Sequence, residues 1–127
     1  MPGRPLTAPI PGSAHQELGG VKLDIVKAGA ARVKRMIYPA GFRWSRDLKP
    51  LLGVDQCMHA HVGFLAHGRI HIHYPDGCVS EYEAPAVVAI DPGHDGWVMG
   101  DEPAVLIEFD FERETTAKLG MPTEHKH

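Results

Sequence analysis

From Val21 onward the chain alternates short apolar, β-branched runs with polar breaks: "VKLDIVKA", "ARVKRMIY", "FRWSRDL", "FLAHGRIHIHY", "VSEYEA", "AVVAI", "GWVMG" and "AVLIEFDF". Runs of this length bounded by Pro and Gly predict β-strands. The separators "YPAGF", "YPDG", "DPGHDG" and "GDEP" hold the residues that tight turns require. Only "ERETTAKLGM" has helical composition, and it predicts a short helix after the last strand. The first fifteen residues include Pro2, Pro5, Pro9 and Pro11, which remove backbone donors and favour an extended arm. The expected organisation is an arm over residues 1–20, an all-β domain over 21–112, and a C-terminal tail over 113–127. Many short strands with regular turns make that domain an antiparallel barrel or sandwich, and a jelly-roll barrel fits the length.

Within "GRIHIHY", Ile70, Ile72 and Tyr74 share one face and Arg69, His71 and His73 the other, since strand side chains alternate. The apolar face is expected inside, leaving His71 and His73 solvated or on a subunit contact. His67, just before Gly68, is expected at a hairpin turn.

Composition narrows the partners. At 127 residues the chain can bury one core. Its 13 Lys and Arg against 16 Asp and Glu give a net charge of -3 with no long run of either sign, which argues against nucleic acid and membrane surfaces. No apolar run reaches the roughly 20 residues that cross a bilayer, and "MPGRPLTAPIPGSA" lacks the apolar block of a secretory signal. A cytoplasmic protein is expected, with Cys57 and Cys78 as reduced thiols. The arm could lie along a neighbour's edge strand, which predicts a homodimer.

Candidate chemistry gathers in one place. Asp55, Cys57, His59 and His61 all fall on odd positions, so an extended stretch would line one face with four potential metal ligands. A further donor must come from elsewhere, and His94 in "DPGHDGW" is the best candidate, with Asp95 beside it to orient a ring nitrogen. Trp44, Phe64 and Trp97 are expected in the core or around a ligand pocket.

The residues from about Pro39 to Asp110 resemble the cupin superfamily, whose first motif runs Gly-x5-His-x-His-x3,4-Glu-x6-Gly and whose second runs Gly-x5-Pro-x-Gly-x2-His-x3-Asn. "FRWSRDLKPLLGVDQC", "HVGFLAHGRIHI" and "PGHDGWVMGDEP" look most like a subgroup of short single-domain bacterial cupins of mostly unassigned function. Counting back from Gly68, His61 stands where that motif has its glutamate, Cys57 where it has its second histidine, and Asp55 where it has its first. His94 takes the second motif's histidine, while Pro85-Ala86 stands where Gly-Asp is common and Val98 replaces the asparagine. The resemblance therefore implies a double-stranded β-helix, or jelly-roll, cupin barrel. It also implies a metal set of Asp55, Cys57, His61 and His94, with His59 as an alternative ligand. Thiolate with imidazole suits zinc first and iron second.

Such a site would bind a small polar metabolite. If one coordination position stays open, the metal could support hydrolysis, isomerisation, lyase chemistry or dioxygenation, with His59 or Asp95 moving a proton. The same barrel could instead be a non-catalytic binding or sensing module, with a structural metal or none.

Overall fold

A computed structural model of the protein describes residues 6–111 and 115–120. Residues 1–5 of the expected arm, residue 112 of the expected domain, and 113–114 and 121–127 of the expected tail lie outside the described residues. The strands are β1 (Ala14–Leu18), β2 (Val21–Ala28), β3 (Ala31–Tyr38), β4 (His61–His67), β5 (Arg69–His73), β6 (Val79–Glu83), β7 (Ala86–Ile90), β8 (Asp95–Met99) and β9 (Ala104–Phe111). Three single-turn helices complete the order: α1 (Trp44–Asp47), α2 (Lys49–Leu52) and α3 (Thr115–Lys118).

The strands form two antiparallel sheets, one with the order β1-β2-β3-β9-β4-β7 and one with the order β6-β5-β8. The result is an all-β sandwich of two antiparallel sheets packed face to face, the layout of the expected jelly roll. A single apolar core joins the sheets, with Met36, Leu65, Ile90 and Leu106 from the larger facing Ile70, Ile72 and Val98 from the smaller. The alternation in β5 decides which face is buried: Ile70 and Ile72 are inside, and Arg69 and His73 are exposed.

Register across the larger sheet places its polar residues. One inward row reads Leu23, Met36, Leu106, Leu65 and Ala86, and is wholly apolar. The next reads Ile25, Lys34, Glu108, Gly63 and Val88, so an ammonium and a carboxyl lie side by side within the sandwich. Gly63 is needed there, because a methyl group on it would strike the Ile107 carbonyl and the Glu108 backbone. On the outward face, His15, Asp24, Arg35, Ile107, Phe64 and Val87 form one row across six strands.

Two sequence expectations change here. "FRWSRDL" is not a strand: Asp47 accepts the Arg43 amide at 3.0 Å, the chain coils at Trp44, and Gly53 ends α2 with φ 71°. The described part of the expected arm, residues 6–20, is not free either. Residues 14–18 pair with β2 as an edge strand, and Arg35 Nη1 donates to the Leu6 and Ala8 carbonyls at 2.8 and 2.6 Å. The described part of the N-terminal segment is therefore strapped onto its own sheet. Arg35 Nη2 also donates to Asp24 Oδ2 at 2.8 Å, and Asp24 Oδ1 lies 2.7 Å from His15 Nδ1. Among the described residues, Cys57 and Cys78 form no disulfide.

Candidate metal centre

The stretch from Gly53 to Ala60 is irregular chain, not the extended strand that the odd-position pattern implied. Its order comes from a bridge to the loop before β8. Cys57 N donates to the His94 carbonyl at 2.7 Å, and Gly93 N donates to the Cys57 carbonyl at 2.7 Å. That bridge carries Cys57 and His94 to the end of β4, where His61 is the first strand residue.

Cys57, His61 and His94 each offer one ligand atom, and these atoms all lie within 4.8 Å of one another. Cys57 Sγ is 3.9 Å from His61 Nε2. Donors on one tetrahedral zinc sit roughly 3.5 Å apart, given bonds of about 2.0–2.3 Å, so a small contraction would let them share an ion. Each imidazole has its other nitrogen engaged. His61 Nδ1 meets Glu108 Oε1 at 2.7 Å, and His94 Nδ1 donates to the Asp91 carbonyl at 2.7 Å. Such bonds fix the ring and leave Nε2 as the free lone pair, as metal-binding histidines require.

Burial sets the protonation of this group. It pushes His61 down to about 3 and His94 down to about 4, the latter helped by the neighbouring His61, so both imidazoles are neutral and able to ligate at pH 7. Burial raises the Cys57 thiol to about 11. It is protonated at neutral pH, and a divalent cation would have to displace that proton. Glu108 has no exposed surface and is raised to about 7, again mainly by burial. Its Oε2 finds no hydrogen-bond partner among the described residues.

A second group, His59, His61 and Glu108, also brings ligand atoms within 4.8 Å. It is the poorer cradle, because His59 Nε2 is hydrogen-bonded to Lys34 Nζ and Glu108 Oε1 to His61, which leaves Glu108 Oε2 as its one unpartnered oxygen. Lys34 Nζ in turn meets Asp110 Oδ2 at 2.7 Å, which Arg32 clamps from the other side at 2.8 Å.

The remaining expected site residues are placed elsewhere. Asp55 does not join the group: its side chain is 96% exposed, 3.9 Å from Lys49 Nζ, because the chain has not yet entered β4. Asp95 faces away from the cavity, and its Oδ1 accepts the Ser45 and Gly96 amides at 3.1 and 2.8 Å, which leaves it a turn-fixing role rather than proton transfer. Trp44 is buried beside the cavity. Trp97 borders it, but its ring stacks on His71 at 4.1 Å on the opposite face of the small sheet, under the Arg43 guanidinium. Phe64 is outside the pocket, since β4 turns His61 and Leu65 inward and Phe64 outward, where it is 40% exposed. Glu108, Asp110 and Lys34 are site residues that the sequence reading missed. The signal was the "EFDF" run, where the two acids face in and Phe109 faces out at 54% exposure.

No helix among the described residues is long and apolar enough to cross a membrane. Neither the family models nor the curated proteins yield a match to this chain. Among solved structures, the cupin domain of Schizosaccharomyces pombe Cnp3 superposes with a TM-score of 0.53 at 12% identity, covering 88% of this chain and 78% of that one. At that identity the likeness speaks to architecture alone. Together with the two antiparallel sheets, it identifies the fold of this chain as a cupin fold.

Proposed function

We propose that the protein is a cupin-type metal-binding module that holds one divalent ion, zinc by preference, on Cys57 Sγ, His61 Nε2 and His94 Nε2 at one end of an internal cavity. The observation that carries this reading is that Cys57, His61 and His94 each bring one ligand atom within 4.8 Å of the others, with both Nδ1 positions already occupied by Glu108 and the Asp91 carbonyl. One thiolate and two neutral imidazoles form a borderline-soft set that suits zinc. Three protein donors leave a coordination position for a ligand in the cavity, and a bound metal there would polarise a ligand oxygen or acidify a water. The chain's own part is to orient the two rings, exclude bulk water and place His59, hydrogen-bonded to Lys34, near the bound molecule.

Elemental analysis of protein purified without chelating resin tests the reading. The expected result is about one zinc per chain, lost in both Cys57→Ala and His94→Ala while circular dichroism still reports a folded sheet. Metal-free, folded wild type that takes up no added zinc would overturn it.

A further inference from the structure

The cavity behind the candidate metal centre has a volume of about 260 Å³. Leu23 and Met36 from the larger sheet, Ile72 and Val98 from the smaller, and Phe42 and Trp44 from the segment before α2 supply its apolar walls. Its polar lining is one cluster in mutual contact: Cys57, His61 and His94, with His59 against the His61 ring and Lys34 against His59. Among the described residues, no Ser, Thr, Asn or Gln lines it. The Tyr38 hydroxyl, which borders the cavity, donates to Met36 Sδ at 3.2 Å, so its proton is already engaged within the wall. Lys34 is already matched by Asp110 at 2.7 Å, so its charge is largely answered within the wall.

A sugar or polyol would bury several hydroxyls against these walls without partners, at about 1–3 kcal/mol each, whereas an apolar body loses nothing there. A cavity of about 150 Å³ accepts benzene, so this one has room for a ring and a short chain. The wall reaches the surface at Leu52, which lines the cavity and is half-exposed, so one side of the entrance is apolar as well.

We propose, building on the metal-site reading, that the ligand is a small, mainly apolar molecule bearing a single oxygen-containing end, of the size of one aromatic ring with a short side chain, and that only this end reaches the metal. The expected small polar metabolite is thereby replaced by an amphipathic one. The apolar body packs between the sheets, and a carboxylate, hydroxyl or carbonyl meets the Cys57, His61 and His94 cluster.

Calorimetric titration of the zinc-loaded protein with phenylacetate, acetate and gluconate tests this class. Phenylacetate should bind at least about tenfold more tightly than either comparator, because only it fills the apolar volume. Acetate or gluconate binding equally well would overturn the proposal, as would no phenylacetate binding to protein with full zinc content; in both cases the metal reading stands. Phenylacetate binding with unchanged affinity to chelator-stripped protein would instead overturn the metal's part and leave the apolar site. Leu52→Asn should keep its zinc yet weaken phenylacetate several-fold with acetate unmoved, and an unchanged phenylacetate affinity would place the ligand elsewhere and end the proposal.

Discussion

Glu108→Gln should strengthen the metal-free protein at alkaline pH and weaken its hold on zinc. Burial raises the carboxyl from 4.5 to about 7, so ionising it inside the fold is unfavourable. A group whose folded pKa is raised contributes stability that is complete below its unfolded pKa and lost as pH rises through the folded one. The loss here accrues between pH 4.5 and about 7. At about 1.4 kcal/mol per pH unit, it reaches about 3 kcal/mol above neutrality. Glutamine removes the ionisation while its amide oxygen can still accept the His61 Nδ1 proton across the 2.7 Å gap. Urea denaturation of chelator-treated protein should therefore show the variant ahead by about 3 kcal/mol at about pH 8.5 and level at about pH 4.5. The depressed pKa values of His59, His61 and His94 impose their own pH dependence in the opposite direction on both proteins; because the Glu108 charge raises His59 and His94, the substitution moves it only toward lower pH, outside the range compared. With zinc present the sign reverses. A neutral amide orients His61 without reinforcing its basicity, and affinity measured by competition with a chromophoric chelator should fall about 10–100-fold. A stability difference independent of pH, or a variant weaker than wild type throughout, would refute the reasoning.

Two other substitutions test separate parts of the account. Asp55→Ala should leave zinc content and affinity unchanged, because that carboxylate lies in solvent at the end of α2; elemental analysis decides it, and lost zinc would return Asp55 to the ligand set. Arg35→Met should destabilise the protein by about 3–5 kcal/mol in denaturant titration, since it strands the buried Asp24 carboxylate with His15 alone and unfastens the Leu6 and Ala8 carbonyls, and a loss below about 1 kcal/mol would show that the pair contributes little.

Strand positions were legible in the sequence wherever alternation and turn chemistry agreed. The runs at 21–28, 31–38, 86–90 and 104–111 are β2, β3, β7 and β9, and the inward set of Ile70, Ile72 and Tyr74 follows from the period of two. The same rule, carried from an inward His61, sends Phe64 outward, so the pocket assignment of Phe64 conflicted with its own parity. Asp55 was misplaced for the opposite reason: parity holds only while the chain is extended, and residues 53–60 are not. The meeting of Cys57 and His94 with His61 was anticipated by the resemblance of the two motifs, but the backbone bonds between two loops that bring it about leave no mark in the alternation of side chains. Glu108 and Asp110 escaped notice because apolar residues are read as inward by default. Here Phe109 is the outward residue, and the two acids are held inside by Lys34, Arg32 and His61.

The main-chain clasp between Cys57 and His94 has a consequence for how this chain can vary. Two of the three proposed donors sit on a single hinge-like unit made from loops that are far apart in sequence, and β4 supplies the third from a fixed wall. Inserting or deleting a residue in either loop would shift both donors relative to His61 at once, so the lengths of the two loops cannot drift independently.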